Sequence, residues 1–114
     1  MHELGIMESA IEAVLAQARG HDATQVHQVV LRIGALSGVE PEALRLAFDA
    51  VVKDTPAAGA DLEIETVPAR GRCPNCDLEF AVDTDFVFTC PRCRRVSGEL
   101  VQGRELEVAR IQVS

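Results

Sequence analysis

Four cysteines form the clearest chemical pattern in the sequence. They lie in two pairs of equal spacing, Cys73-Pro-Asn-Cys76 and Cys90-Pro-Arg-Cys93, which together give C-x2-C-x13-C-x2-C. In each pair a short turn aims two sulfurs at one point, and the backbone N–H groups of such a turn can hydrogen-bond to thiolate. Four thiolates around one ion make the tetrahedral shell of a closed structural zinc site. The spacing therefore predicts that all four cysteines bind one zinc ion.

Two other chemistries are compatible with cysteine pairs. A C-x-x-C pair also occurs in thiol-disulfide oxidoreductases, but these enzymes usually present one pair at a strand-to-helix turn, whereas this chain has two pairs that flank a hairpin-like segment. Zinc ribbons also occur in nucleic-acid-binding proteins, where basic side chains and aromatic rings such as Phe86 and Phe88 contact the nucleic acid. The basic side chains near the cysteines are Arg70, Arg72, Arg92, Arg94 and Arg95.

The charge around the cysteines argues against nucleic-acid binding. Residues 70–104 carry a net charge of only +1, and the chain as a whole carries −7. No run of basic residues is longer than two, so the electrostatic attraction for a polyanion is weak. We therefore expect the phenylalanines to form the small core of the ribbon and the arginines to be solvated.

The amino-terminal residues Met1, His2 and Glu3 form a second chemical pattern. They resemble the start of the protease motif H-E-x-x-H, but Ile6 occupies the place of the second histidine, so that catalytic interpretation fails. A free α-amino group, the next imidazole and the backbone nitrogens between them can instead chelate a metal, and such a nitrogen-rich set suits Ni(II) or Cu(II). By residue type alone, however, a histidine at position 2 is more often a solvated terminal residue.

The remaining residues offer no catalytic pattern. No G-x-S-x-G, phosphate-binding loop or G-x-G-x-x-G is present in the sequence, and no serine or cysteine has a plausible triad around it. His21 and His27 are weaker ligand candidates than His2, because solvent exposure or hydrogen bonding accounts for them. We expect a protein that binds rather than an enzyme.

Periodic segments must position these two groups of residues. Apolar residues from Leu4 to Arg19 recur at helical spacing, which predicts a first helix that ends near Gly20. Pro41 suits the first position of a second helix, which Thr55-Pro56 should end. The expected buried stripes are Leu4, Met7, Ile11, Val14, Leu15 and Ala18 in the first helix, and Leu44, Ala47, Phe48 and Val51 in the second.

Alternating apolar and polar residues predict three strands. Residues 25–33 and 61–67 flank the second helix, so a crossover that leaves the two strands parallel is the default. A third strand, ELEVARIQV, closes the chain. Between Gly71 and Gly103 the periodicity breaks, and so short a segment cannot bury enough apolar area to offset its ordering entropy without a cross-link. We expect the cysteines to provide that cross-link through zinc.

Composition sets the broad class of the protein. A chain of 114 residues with 47% hydrophobic residues suits one compact domain, or one domain with a small appendage. No run of about 18 apolar residues exists, and the start of the chain lacks the pattern of a signal peptide. We expect a cytoplasmic protein that binds neither membrane nor nucleic acid.

Several motifs together resemble the HypA family, the nickel metallochaperones of nickel-iron hydrogenase maturation. The similar segments are MHE at the start of an amphipathic helix, LRIGALSGVEPEALRLAFDAV, DLEIETVPARGRCPNC and CPRC. The resemblance covers essentially the whole chain, with the motifs in the same order and spacing. It implies an α+β fold in which two helices pack on a three-stranded mixed sheet, with a zinc-ribbon domain inserted before the last strand.

The resemblance also implies domain boundaries, ligands and partners. Residues 1–70 with 104–114 would form the nickel-binding domain, and residues 71–103 the zinc ribbon. His2 would supply the essential imidazole for Ni(II), joined by the Met1 amine and by backbone nitrogens at His2 and Glu3, while Glu3 tunes the site. The four cysteines would hold structural Zn(II). The implied partners are the HypB GTPase, the hydrogenase large-subunit precursor and, in some organisms, urease maturation proteins.

Overall fold

The first helix carries the amino-terminal residues of interest. The computed structural model of the chain describes residues 2–82, 88–96 and 99–114. Helix α1 spans His2–Gly20, so it begins two residues before the predicted start at Leu4, and Leu4 itself is 37% exposed rather than buried. An acidic side chain in the first turn, here Glu3, favours this earlier start because it interacts with the positive end of the helix dipole. The stripe that α1 does bury consists of Met7, Ile11, Val14 and Ala18.

The second helix starts where the sequence predicts. Helix α2 spans Pro41–Val51, and Pro41 lies in its first turn. Glu40 is the N-cap, and its carboxylate accepts a hydrogen bond of 3.3 Å from the N–H of Glu42. A capped amino-terminal N–H and a proline with helical φ together fix this end of the helix.

The buried side of α2 differs from the prediction at one position. Val52, rather than the predicted Val51, is buried at 5% exposure, because it follows Phe48 by four residues and therefore lies on the same face. Its N–H also bonds to the Phe48 carbonyl at 3.0 Å, so the helical path continues through this residue. α1 and α2 pack against each other. The residues that α2 itself buries are Leu44, Ala47 and Phe48.

Strands make two separate sheets of three strands each in the described residues. The first sheet has the order β2-β1-β6 and the second the order β4-β3-β5. The strands are β1 (Val26–Gly34), β2 (Asp61–Val67), β3 (Arg70–Cys73), β4 (Leu78–Ala81), β5 (Leu100–Gln102) and β6 (Leu106–Val113).

The first sheet is mixed, as the sequence predicts. At one end of β1, the N–H of Ser114, just after β6, bonds to the Gln25 carbonyl at 2.9 Å, so the end of β6 meets the start of β1. At the other end, the N–H of Ala35 bonds to the Val67 carbonyl at 2.9 Å, so the ends of β1 and β2 lie together. β1 is therefore antiparallel to β6 and parallel to β2, which is the arrangement that a helical crossover allows.

The second sheet is inserted in the chain before β6. β3 pairs with β4 in an antiparallel hairpin, in which Cys73 lies opposite Leu78. β5 pairs with the other side of β3, and the register shifts between Arg70 and Gly71. Two helices, a mixed three-stranded sheet and this inserted element confirm the predicted α+β fold class.

The chain forms two compact units. One contains residues 1–32, 39–65 and 107–114, and the other contains residues 33–38 and 66–106. The domain boundaries that the sequence analysis proposes, at 70/71 and 103/104, stay a prediction. In the described part of the chain, no helix is long and apolar enough to cross a membrane.

Candidate metal centres

The structure brings the four predicted zinc ligands together. The Sγ atoms of Cys73, Cys76, Cys90 and Cys93 all lie within 4.8 Å of one another, and those of Cys73 and Cys93 are 3.7 Å apart. A tetrahedron with metal–sulfur bonds of about 2.3 Å has sulfur–sulfur edges of about 3.8 Å. The donor set and its spacing therefore fit one tetrahedral zinc ion. Within the described ranges, no other group of three or more His, Cys, Asp or Glu ligand atoms converges in this way.

Both cysteine pairs lie on turns of the same design. The residue directly after each pair has a left-handed backbone, with φ of 52° at Asp77 and 65° at Arg94. In the second turn the N–H of Arg94 bonds to the Cys90 carbonyl at 2.9 Å, and the N–H of Cys90 bonds to the Arg95 carbonyl at 2.9 Å. Gly, Asn and Asp favour this conformation, so Asp77 suits the first turn, whereas the second turn holds Arg94 against its local backbone preference.

Apolar side chains enclose one side of the quartet. Cys73 and Cys90 are 1% and 0% exposed, while the other two cysteines are partly exposed. Phe80 is buried at 7% exposure and Phe88 packs against the same cluster, which confirms that phenylalanines form the core of this element. Phe86 lies outside the described residues. The other apolar residues of the cluster are Leu36, Ala69, Leu78 and Val82.

The thiols differ in acidity because their surroundings differ. Burial raises the pKa of Cys76 to about 12, and hydrogen bonds with the other three sulfurs act in the same direction. The N–H of Cys93 lowers the pKa of Cys90 to about 6, and the N–H of Arg92 assists it against the effect of burial. Backbone N–H groups thus stabilise a thiolate in the second turn, as the sequence predicts. A metal ion that binds all four sulfurs must displace protons, above all the proton of Cys76.

The amino-terminal residues form a smaller constellation at the start of α1. The side chain of His2 is 61% exposed, and its Nε2 lies 2.9 Å from Oε2 of Glu3. The side chain of Glu3 is only 18% exposed. The N–H of Glu40, which caps α2, donates a hydrogen bond of 3.4 Å to the same Glu3 oxygen. Met1, the third predicted nickel ligand, lies outside the described residues.

Glu3 therefore has a structural role that the sequence analysis did not find. Burial alone would raise the pKa of its carboxyl, but hydrogen bonds from its own N–H and from that of Glu40, with the charge of His2, hold this pKa below the ordinary value. The carboxylate connects the first turn of α1 to the first turn of α2, 37 residues away in sequence. No local pattern in the sequence signals this contact, because it depends on how the two helices pack.

The other two histidines have separate surroundings. Nε2 of His27 lies 2.7 Å from Oγ of Ser114, so this side chain is hydrogen-bonded as expected. His21 follows α1 in an exposed turn. Neither belongs to a converging group of ligand atoms among the residues that the structure describes.

Comparison with known proteins decides the family. The profile of the family described as "Hydrogenase/urease nickel incorporation, metallochaperone, hypA" matches residues 1–113. The chain belongs to the HypA family. This membership confirms the resemblance that the motifs indicate.

Relatives in the HypA family match over almost their full length. The hydrogenase maturation factor HypA of Acidithiobacillus ferrooxidans is 42% identical over 113 residues, which cover 99% of each chain. That of Chloroflexus aurantiacus is 41% identical over 112 residues, which cover 98% of each chain. The chain therefore matches these HypA proteins over almost their entire length.

Solved HypA structures share the fold. The solution structure of the nickel metallochaperone HypA from Helicobacter pylori gives a TM-score of 0.68 at 20% identity, covering 97% of this chain and 96% of that one. A second HypA solution structure gives a TM-score of 0.74 at 22% identity, covering 100% and 97%. At such identities, the likeness establishes the HypA fold.

Proposed function

We propose that this protein is a nickel metallochaperone that binds Ni(II) at its amino terminus and delivers it during maturation of nickel-iron hydrogenase. Membership of a family described by nickel incorporation supports this proposal. The structural observation that carries it is the exposed imidazole of His2, in the first turn of α1 and 2.9 Å from the carboxylate of Glu3. The function is binding and transfer, without a catalysed reaction.

The proposed nickel ligands are nitrogen atoms of the first three residues. They are the Met1 amine, the backbone nitrogens of His2 and Glu3, and the His2 imidazole. The first four N–H groups of an α-helix have no acceptor within the helix, and α1 begins at His2, so metal binding there breaks no hydrogen bond of the helical ladder. A nitrogen-rich set of this kind suits Ni(II) better than zinc, calcium or magnesium.

The two ring nitrogens of His2 have different roles in this proposal. Nδ1 is close enough to the backbone nitrogen of the same residue to close a chelate ring with it, whereas Nε2 is too far along the ring. Nε2 lies beside Glu3, whose carboxylate can accept its proton and orient the imidazole. The Glu3 carboxylate thus tunes the metal site without binding the metal itself. Its hydrogen bond from the Glu40 N–H fixes its position.

The location of the site favours release of the metal as well as binding. A cation at a helix amino terminus is disfavoured by about 0.3–1 kcal/mol through the helix dipole. The Glu3 carboxylate, and any backbone nitrogen that the metal deprotonates, supply negative charge that offsets this cost. Because the imidazole is 61% exposed, a partner can approach and replace the ligands one at a time. A buried and rigid cage would oppose such a transfer.

Zinc is proposed as the structural metal of the second centre. Cys73, Cys76, Cys90 and Cys93 would hold it, since their sulfur atoms converge with the spacing of a tetrahedral shell. Bound zinc would contribute on the order of 10 kcal/mol to the folding of this small element. In this proposal, residues 71–103 form the zinc-ribbon domain, and residues 1–70 with 104–114 form the nickel-binding domain.

Family membership also supports the proposed partners. We propose that the protein acts in the cytoplasm with the HypB GTPase and the hydrogenase large-subunit precursor, and that urease maturation proteins are further recipients where they occur. Nucleic acid is not among the proposed partners, because the chain carries a net charge of −7.

A nickel titration tests the proposal directly. Calorimetry of protein that begins at Met1, verified by mass spectrometry, is expected to give one Ni(II) per chain at the terminal site. His2→Ala should remove this binding event and leave the helical circular dichroism unchanged. One extra residue before Met1 should also abolish it, because the amine is then displaced from the chelate.

His21→Ala is the matched control, since it removes an exposed histidine near the other end of the same helix. It should bind nickel like the parent protein. Unchanged nickel affinity in His2→Ala would refute the terminal site. Nickel binding that survives the extension but not the His2 substitution would remove the amine from the ligand set. Steeply salt-dependent binding to DNA, insensitive to nickel, would instead favour a nucleic-acid-binding ribbon.

A further inference from the structure

The arginines around the cysteines fall into two groups with different surroundings. Arg70 forms an ion pair with Glu79 at 3.5 Å. Arg72 pairs with Asp77 and, at 3.1 Å, with Glu99. These two guanidinium groups, on β3, are therefore neutralised by carboxylates of the same sheet and its turns.

The second group lies on the second cysteine turn, and no carboxylate of the described residues neutralises it. Arg92, Arg94 and Arg95 are all exposed. In residues 2–82, 88–96 and 99–114, no ion pair or hydrogen bond of their side chains is found. The next residue, Val96, is 79% exposed, more than Leu4, Leu46, Val101 or Leu106. Three positive charges that have no ion pair within the described ranges thus lie beside an exposed apolar side chain, within five residues.

The backbone holds this group in place. Two hydrogen bonds of 2.9 Å join Cys90 to Arg94 and Arg95, and Thr89 pairs with Val96 in an antiparallel bridge. Arg92 lies between the two cysteines of the turn, so the proposed zinc would fix the chain on both sides of it. A surface on such a restrained turn loses little backbone entropy when a partner binds.

The first cysteine turn is likewise followed by a residue with a left-handed backbone, but its side-chain character is the opposite. Asn75 and Asp77 occupy the places of Arg92 and Arg94, and Asp77 pairs with Arg72. The turn geometry itself therefore requires no arginines. Their presence on one turn alone, where the part of the chain that the structure describes offers them no paired carboxylate, indicates a role outside the fold.

We propose that residues 92–96 form a docking surface for an acidic, partly apolar segment of a partner protein. Guanidinium groups bind carboxylates through paired hydrogen bonds, and Val96 offers apolar contact beside them. Because the chain as a whole carries a net charge of −7, attraction for a short acidic segment is concentrated on this one surface, and a long polyanion is repelled. This surface requires no nickel, so it extends the proposed function without depending on it.

A protein segment fits this surface better than a nucleic acid does. Single-stranded nucleic acids are held largely by stacking of bases on exposed aromatic rings. Among the described aromatic residues, Phe48 and Phe80 are buried at 3% and 7% exposure, and Phe88 packs against the cysteine cluster. The three arginines can bind carboxylates and the valine can make apolar contacts, but residues 92–96 include no aromatic ring on which a base could stack.

Fluorescence anisotropy with a labelled peptide that repeats Asp-Glu-Leu tests the proposal on the zinc-loaded full chain without nickel. A peptide that repeats Asn-Gln-Leu and a single-stranded oligothymidylate serve as comparison probes. Combined substitution of Arg92→Gln, Arg94→Gln and Arg95→Gln should weaken binding of the acidic peptide about tenfold, which corresponds to about 1.4 kcal/mol. Val96→Ser should weaken it by a smaller factor, about twofold to threefold.

The matched control carries Arg19→Gln, Lys53→Gln and Arg104→Gln, which lower the net charge equally at other exposed positions. It should keep binding within about twofold of the parent. The zinc content of each variant is measured by elemental analysis. If the triple variant loses zinc, the double variant Arg92→Gln with Arg95→Gln takes its place in the peptide-binding comparison.

Three outcomes would overturn the proposal. Equal losses in the arginine and control variants would show a general effect of charge. Tighter binding of oligothymidylate than of the acidic peptide would assign the surface to nucleic acid. Concentration-dependent self-association in sedimentation, lost only in the arginine variant, would assign the surface to the acidic side chains of a second copy. Loss of peptide binding confined to the arginine variant and Val96→Ser would support it.

Discussion

Substitution of Gly34 by alanine should destabilise the fold severely, because β1 and the chain after β5 approach each other there without room for a side chain. A Cβ at Gly34 would lie 2.1 Å from the carbonyl oxygen of Gly103, whereas ordinary contact begins at 3.4 Å. Gly103 cannot easily move away, because its other side lies against Ala69. A Cβ added to Gly103, where φ is 129°, would be only 2.8 Å from the α-carbon of Ala69. The end of β1 and the segment after β5 must therefore separate.

The size of the effect follows from the hydrogen bonds that cross this contact. The N–H of Gly34 bonds to the Glu105 carbonyl at 2.8 Å, and the N–H of Leu36 bonds to the Gly103 carbonyl at 2.6 Å. Relief of the clash requires a shift of roughly 1.3 Å, which would lengthen both bonds to roughly 4 Å and so break them. Two lost bonds and the buried groups left unsatisfied should lower the free energy of unfolding by about 2–4 kcal/mol.

Urea unfolding of the zinc-loaded protein, followed by circular dichroism, measures this loss. Gly5→Ala is the matched control, because Gly5 lies inside α1 with nothing within 4 Å of an added Cβ. That substitution should raise the free energy of unfolding by about 0.5–1 kcal/mol, since alanine favours the helix. The same chemical change should thus act in opposite directions at the two sites. A loss below about 0.5 kcal/mol for Gly34→Ala would refute the close-contact argument.

Three further predictions test the core and the two candidate centres. Cys90→Ser should abolish zinc retention in elemental analysis and unfold the ribbon, since about 10 kcal/mol of metal-coupled folding is lost; full zinc content would contradict this. Leu44→Ala, at a fully buried position, should cost about 2–5 kcal/mol in urea unfolding, whereas Leu46→Ala, at 73% exposure, should cost less than about 0.5; equal costs would contradict the assigned face of α2. Glu3→Gln should weaken calorimetric nickel affinity about tenfold because His2 loses its charged partner; unchanged affinity would remove Glu3 from the site.

Local patterns predicted the elements whose determinants lie close together in the chain. The repeat through Met7, Ile11, Val14 and Ala18 identified α1, because neighbours three or four residues apart share a helix face whatever the rest of the protein does. Pro41 marked the start of α2 for an equally local reason. Predictions at the helix ends were less accurate: α1 starts at His2 instead of Leu4.

Burial at the helix ends was predicted less accurately than the helices themselves. Val52 completes the buried side of α2 in place of Val51, one residue beyond the last helical residue. The sequence assigned Glu3 only to the proposed nickel site, yet its carboxylate accepts a hydrogen bond from the N–H of Glu40. Val52 shares a helix face with Phe48, so helical spacing is compatible with its burial, whereas the partner of Glu3 is 37 residues away in sequence and leaves no local signal.

The sequence by itself determined the cysteine quartet, since two tight turns of equal spacing can present their sulfurs to a single ion. It also determined the family, through motifs spread along the chain. Only the tertiary structure decided which charges are neutralised. Arg72 and Arg92 have the same side chain, but the fold brings Asp77 and Glu99 to the first and, among the described residues, no carboxylate to the second. Ion pairing depends on distances across the fold, and these are set by packing rather than by separation along the chain.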